Sequence, residues 1–182
     1  MFTQVKTPQD VFFSPQRLVV PLFQRPYVWS QERQWQPLWD DVRRVVERFE
    51  TSGQVASHFL GAIVLQLQPT EIGSLTVRTV IDGQQRLTTL QLLFDAIYGV
   101  LVEREFTDLA RQMENLVRNQ DAYISEENDR FKVWPTNRDR PAFNEVMAAT
   151  LPEYAKLEHR ESRLVRAHQF FMKSISDWME ES

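Results

Sequence analysis

The stretch Val80-Ile81-Asp82-Gly83-Gln84-Gln85-Arg86-Leu87-Thr88-Thr89-Leu90 decides the reading of this chain, because the hydrophobic period changes in its middle. Upstream, Leu75 to Ile81 is rich in β-branched residues and predicts a strand. Downstream, Leu87, Leu90, Phe94, Ile97 and Leu101 recur at helical spacing, widened by Leu93 and Tyr98. Asp82-Gly83-Gln84-Gln85-Arg86 therefore falls at a strand-to-helix junction. The free N–H groups of a helix's first turn attract anions there, and a glycine lets a ligand approach the backbone. Arg86 adds a forked donor for phosphate oxygens. Asp82 repels the same phosphate unless a divalent cation bridges the two. The residue types thus fit a metal–nucleotide site. They also fit a structural turn, with Asp82 or Thr88 capping the helix and Arg86 on its solvated face.

Outward from the junction, His58 to Leu67 reads as a strand that pairs with 75–81 as a hairpin. Ile63-Val64-Leu65 lacks alternation, which predicts a central place in the sheet. A further short strand is expected near 18–22. It leads into Gln24-Arg25-Pro26-Tyr27-Val28-Trp29, a proline-stiffened loop. Ser30 is the expected cap of a helix ending near Gly53, with Trp35, Leu38, Trp39, Val42, Val45, Val46 and Phe49 on one face. From Glu103 onward the chain is more polar and mostly helical, interrupted by a short strand at Phe131 to Trp134. The expectation is an α+β fold: a small mixed β-sheet flanked by helices, with a mainly helical second half. Residues 1–102 are expected to form the core, nucleotide-binding if the junction is a site, and 103–182 a helical part of the same domain.

Two other stretches offer chemistry. Gln24 and Arg25 are suited to clamping a phosphate, with Tyr27 or Trp29 as a stacking surface for a base. Trp35 and Trp39, four apart, read instead as core anchors. Trp134-Pro135-Thr136-Asn137-Arg138-Asp139-Arg140 is either a helix start with solvated charges or a third edge of the same pocket. His58, His159 and His168 show no metal-binding spacing.

Composition narrows the classes. The 182 residues carry 21 basic and 25 acidic side chains, a net charge of −4, which excludes a broadly basic nucleic-acid surface. Any DNA contact must be a local patch. Arginine outnumbers lysine 17 to 4, which suits phosphate but also follows from genomic composition. Without cysteine there is no disulfide, zinc–thiolate site or thiol nucleophile. No apolar run is long enough for a membrane span, and Met1-Phe2-Thr3-Gln4 starts no signal peptide, so a cytoplasmic chain is expected. Glu180-Glu181-Ser182 contains no helix stop, so a longer protein with a further region is also expected.

The succession Pro21-Leu22-Phe23-Gln24-Arg25-Pro26-Tyr27-Val28-Trp29, Leu38-Trp39-Asp40-Asp41, His58-Phe59-Leu60-Gly61-Ala62-Ile63-Val64 and Ile81 to Leu90 closely resembles the DGQQR-motif N-terminal domain of GmrSD-type modification-dependent restriction proteins. Val133 to Asn137 and the Ser162 to Phe171 helix resemble its later landmarks, so the likeness covers nearly the whole chain. It implies a ParB/sulfiredoxin-like fold, without the cysteine chemistry of the sulfiredoxin branch. It also implies binding and hydrolysis of a nucleoside triphosphate, with Mg2+ or Mn2+, coupled to sensing or cleavage of modified DNA in antiphage defence. In related proteins a C-terminal HNH-type nuclease domain cuts.

Matched residue by residue, the catalytic set is Asp82, Gln84, Gln85 and Arg86, with Asp82 also the metal ligand. Gln24, Arg25, Gly83, Thr88, Thr89, Asn137 and Arg138 form the nucleotide-binding set, and Tyr27 and Trp29 the DNA-sensing pair. The expected partners are the nucleotide, modified DNA, and a nuclease domain or subunit; a homodimer is compatible with the same reading. This chain alone is expected to handle nucleotide and not to cut DNA. The competing reading is a DNA-modification sensor whose nucleotide pocket is a switch with little turnover.

Overall fold

The structure, a computed structural model, describes residues 3–53, 57–71 and 73–181; the start at Met1-Phe2 and the end at Ser182 lie outside it. Four strands form one mixed sheet: β1 (Gln16–Val19), β2 (Val64–Leu67), β3 (Thr76–Asp82) and β4 (Val133–Trp134), in the spatial order β2-β3-β1-β4. β1 runs parallel to β3 and to β4, while β2 and β3 make the expected antiparallel hairpin. The α+β class is as the sequence predicts.

Two local expectations fail for identifiable reasons. β2 is an edge strand, and β1 and β3 hold the centre. Val64 and Leu65 are half-buried while Gln66 and Leu67 are exposed. An unbroken apolar run measures cover on a strand's faces, whereas edge position depends on which backbone groups find a neighbour. Moreover, the strand begins at Val64 and not near His58, because Gly61 at φ 99° takes a backbone conformation that no regular strand contains.

The helices are α1 (Pro8–Phe12), α2 (Gln36–Ser52), α3 (Gln84–Glu103), α4 (Thr107–Val117), α5 (Arg140–Ala148) and α6 (Arg163–Glu181). α2 is entered through a π-helical turn over Gln31–Trp35, and the Ser30 side chain makes no cap. Instead the Ser30 N–H donates to Gln34 Oε1 at 3.0 Å. Trp35 and Trp39 are buried, as their spacing predicts.

α3 is the axis of the molecule. It packs on α4, α6 and β4, and its buried residues lie on nearly every side of it. Among its buried polar groups, Gln91 Nε2 donates to the Val117 carbonyl (3.1 Å), and its Oε1 accepts from Val133 N–H (3.2 Å), tying α4 and β4 to one side chain. Farther along, His168 Nε2 lies 3.0 Å from Asp95 Oδ2, and His168 Nδ1 lies 2.6 Å from the Tyr154 hydroxyl. Among the described residues no helix is long and apolar enough to cross a membrane.

Candidate functional site

The three mutually parallel strands point the same way, so the segments leaving them emerge at one end of the sheet. β1 leads into the 20–30 loop, β3 into Gly83 and α3, and β4 into Pro135 to Asp139. β2 runs the opposite way, with Val64 paired to Asp82, so the 57–63 segment enters at that same end. Ligands of open α/β sheets bind beyond the carboxyl ends of the strands. All the motifs singled out above meet there.

At the centre is the start of α3. Gly83 is its cap residue at φ 91°, without a side chain to satisfy the first-turn N–H groups, and that turn contains no acidic residue. Arg86 stands in the same turn, adding a full positive charge where the helix dipole is already positive. An added Cβ at Gly83 would lie 2.6 Å from Ile63 Cγ2, so glycine is required both for φ and for contact between the two loops. The Asp82 carboxylate is exposed; Oδ1 accepts from Gly83 N–H at 2.8 Å, and Oδ2 has no partner among the described residues.

The motif side chains hold the surrounding loops. Gln84 Nε2 donates to Gln24 Oε1 at 3.2 Å, and Gln24 Nε2 donates to the Ile81 carbonyl at 3.2 Å. Gln85 is buried and accepts from Val28 N–H at 2.9 Å while donating to the Pro26 carbonyl at 3.0 Å. Its amide thus pairs with the loop as another backbone would. Arg86 Nη1 donates to the Ala62 carbonyl at 2.5 Å. That leaves most of its five N–H donors uncommitted to protein.

Tyr27 is buried, and its ring offers no open face to a base. A directed chain of hydrogen bonds fixes it: Trp35 Nε1 donates to the Tyr27 hydroxyl (2.9 Å), which bonds Thr89 Oγ1 (2.6 Å), which donates to the Gln85 carbonyl (2.8 Å). Burial pushes the Tyr27 hydroxyl pKa up, against the lowering effect of these hydrogen bonds. Thr88 is likewise buried, and Trp29 packs half-buried against the core. Arg25 is exposed and without an ion pair among the described residues. Asn137 and Arg138 are exposed, while their neighbour Asp139 makes the link: it accepts from Tyr27 N–H (2.9 Å) and the Thr136 hydroxyl (2.7 Å). Arg163, at the start of α6, donates to the Val28 carbonyl.

Asp139, Arg163 and Gly61 lie in stretches that the sequence reading singled out, but it gave none of them a role of its own. For Gly61 a signal existed, since a lone glycine in an apolar run marks close approach of another group. A Cβ there would lie 2.4 Å from Arg86 Nη2, so the guanidinium rests on the bare glycine backbone. Gly61→Ala is expected to cost about 1–3 kcal/mol through its unfavourable φ. It should also displace Arg86 and weaken anion binding while the far-ultraviolet circular dichroism stays unchanged. Urea unfolding and triphosphate titration measure the two effects.

A separate cavity of about 420 Å³ lies by α4 and the 118–130 segment. Arg118 and Arg130 face Glu114, Asp121 and Glu127 there, so carboxylates outnumber guanidinium groups and a phosphate gains little. The strand-end cluster, with an uncapped helix start, Arg86 and Arg25, is the better anion site.

The family model described as GmrSD restriction endonuclease, N-terminal domain, matches residues 9–179. No curated protein matches the chain.

Proposed function

This chain belongs to the GmrSD N-terminal-domain family and so to a restriction system, and on that premise we propose that it binds and slowly hydrolyses a nucleoside triphosphate at the start of α3. The observation that carries the reading is the uncapped first turn of α3, with Arg86 inside it and Asp82 immediately before it. The N–H groups of Gln84, Gln85 and Arg86 and the Arg86 guanidinium receive phosphate oxygens. Arg25 closes the opposite side, held in place through Gln24 and its bonds to Gln84 and Ile81. Gln85, Tyr27 and Thr89 act one layer back, shaping the loop that carries Arg25. Asp82 orients the attacking water. Hydrolysis transfers the γ-phosphoryl group to that water and leaves charge on the β-phosphate, which Arg86 neutralises. Positioning and electrostatics account for such a reaction without a covalent nucleophile.

Mg2+ or Mn2+ fits the free oxygen of Asp82. Asp82 Oδ2, exposed and without a partner among the described residues, would be the protein's ligand to such a cation. When bound, the cation supplies charge neutralisation at the phosphates. Cutting of DNA belongs, in this proposal, to a partner nuclease domain or subunit, with modified DNA as the stimulus.

A second reading has its own support. Gln84, Gln85 and Arg86 each hold a loop segment, so a phosphate on their backbone N–H groups and on the remaining Arg86 donors lies directly against the residues that fix those loops. That favours a nucleotide switch with little turnover. One experiment separates the two. Purified protein is mixed with each ribonucleoside triphosphate and Mg2+, and released phosphate is counted per protein. Many turnovers, abolished by chelator and largely lost in Asp82→Asn, are expected. Tight binding without phosphate release selects the switch, and full turnover in excess chelator removes Asp82 from its metal role.

A further inference from the structure

Two phenylalanines at the candidate site are left in water. Phe23 is 86% exposed and Phe59 is 83% exposed, although their neighbours on the same loops are tied down. Leaving a phenylalanine uncovered forgoes about 1.5–3 kcal/mol of burial, so two at one place need a reason.

Their positions are imposed by their surroundings. Gln24 N–H donates to the Pro21 carbonyl at 3.1 Å, closing a turn with Leu22 and Phe23 at its tip. Turn tips favour glycine, asparagine, aspartate and serine, and a Leu-Phe pair has no turn-forming merit there. On the other loop, Leu60 packs against the core and Gly61 lies under the Arg86 guanidinium, so the backbone around Phe59 is anchored on its C-terminal side. Phe23 directly precedes Gln24, which is bonded to Gln84. Phe59 lies two residues before Gly61, a reach of about 7 Å at most. The two residues therefore sit next to the groups that meet the phosphate-binding turn, one on each loop that the motif side chains hold.

We propose that Phe23 and Phe59 form the base-binding part of the site and stack on the nucleobase of a triphosphate whose phosphates lie on the α3 start. This rests on the nucleotide reading above and adds to it the group that the polar residues cannot recognise. Stacking on phenylalanine tolerates any base, because every base has a π-face, so the site accepts several nucleoside triphosphates with modest preference. The apolar partner also distinguishes a nucleotide from inorganic polyphosphate, which has charge but no ring. It relocates the stacking surface from buried Tyr27 to residues that are open.

The test compares ATP, GTP, CTP and UTP with inorganic triphosphate, all with Mg2+, by calorimetric titration. The proteins are wild type, Phe23→Ala, Phe59→Ala and Phe59→Tyr. Each alanine variant is expected to bind nucleotides about 5- to 150-fold more weakly, the range found for base–aromatic stacking, and inorganic triphosphate as before. Phe59→Tyr should retain nucleotide affinity. Circular dichroism and urea midpoints close to wild type show that the loops remain folded.

Unchanged nucleotide affinity in both alanine variants overturns the proposal. So does an equal loss for nucleotide and inorganic triphosphate, which assigns the residues to loop shape. If wild type binds inorganic triphosphate as tightly as nucleotides, base stacking fails while the phosphate site survives. If wild type binds neither, the nucleotide reading fails and this inference with it. Sedimentation of the same proteins, and titration with single-stranded DNA, cover two other occupants. Loss of a dimer, or of DNA binding alone, in the alanine variants reassigns the phenylalanines and overturns the proposal.

Discussion

Arg86→Ala is expected to lower kcat/KM for nucleoside-triphosphate hydrolysis by about 100- to 1000-fold, the usual loss when one preorganised donor to developing charge is removed. The stability cost should be small. Among the described residues Arg86 makes one hydrogen bond, to the Ala62 carbonyl, worth about 1 kcal/mol. The residue is half-buried on the backbone of Gly61, so truncation leaves a partly wet gap and no buried charge. Arg86→Lys is the informative companion. It keeps the charge but loses the planar fork that reaches Ala62 and a phosphate together, and it should recover only part of the loss. Phosphate release and urea unfolding, measured on the same preparations, separate chemistry from folding. An unchanged hydrolysis rate in a folded Arg86→Ala protein would remove Arg86 from the catalytic set.

The largest stability effect is expected far from that site. His168→Leu should destabilise the protein by about 3–5 kcal/mol, because it leaves the buried Asp95 carboxylate without its hydrogen-bond donor. For a chain of this length that corresponds to a fall in Tm of about 6–20 °C. The reason is the geometry around Asp95. Both side chains are buried, and one neutral tautomer of His168 satisfies two neighbours at once: Nε2–H donates to Asp95 Oδ2 while Nδ1 accepts from the Tyr154 hydroxyl. Asp95 Oδ1 already lacks a partner. Without the imidazole, neither carboxylate oxygen is bonded, and the Tyr154 hydroxyl loses its acceptor. Burial, and secondarily the Asp95 charge, push the Tyr154 hydroxyl pKa up, so it remains a proton donor across the neutral range. Combining Asp95→Leu with His168→Leu should recover much of the loss, because paired apolar replacement removes the uncompensated charge. Calorimetric melting of the single and double variants checks this. A single variant that melts like wild type would show that the triad does not hold α6 on α3.

Most of the fold was legible before any coordinates. The change of period around Asp82-Gly83 places the β3–α3 junction within the Asp82–Arg86 stretch, and the helix begins inside it, at Gln84, three residues before the apolar stripe starts at Leu87. The hairpin of β2 with β3, the helix ending before Gly53 and the burial of Trp35 and Trp39 follow from the same local periodicities. Local pattern carried less weight where partners come from far along the chain. α3 reads from sequence as an amphipathic helix with one stripe. It is instead buried on nearly all sides, because α6, separated from it by more than 50 residues, covers a face that holds Asp95. That the histidines lack metal spacing is plain in the sequence; that His168 lies against Asp95 is not.

At the candidate site the same division holds. The residue types of Asp82 to Arg86, and their place at the start of a helix, were determined by the sequence, because first-turn N–H groups and an adjacent guanidinium depend only on neighbours in the chain. Which aromatic rings remain open was decided by the tertiary structure alone. Tyr27, Trp29, Phe23 and Phe59 are equally apolar as letters. Tyr27 is drawn inward because its hydroxyl finds Trp35 and Thr89, and Trp29 because it meets the core. Phe23, at the tip of the turn closed by Gln24 N–H on the Pro21 carbonyl, and Phe59, two residues before Gly61, both remain in solvent. Exposure is set by contacts between distant segments, and no run of neighbouring residues encodes it.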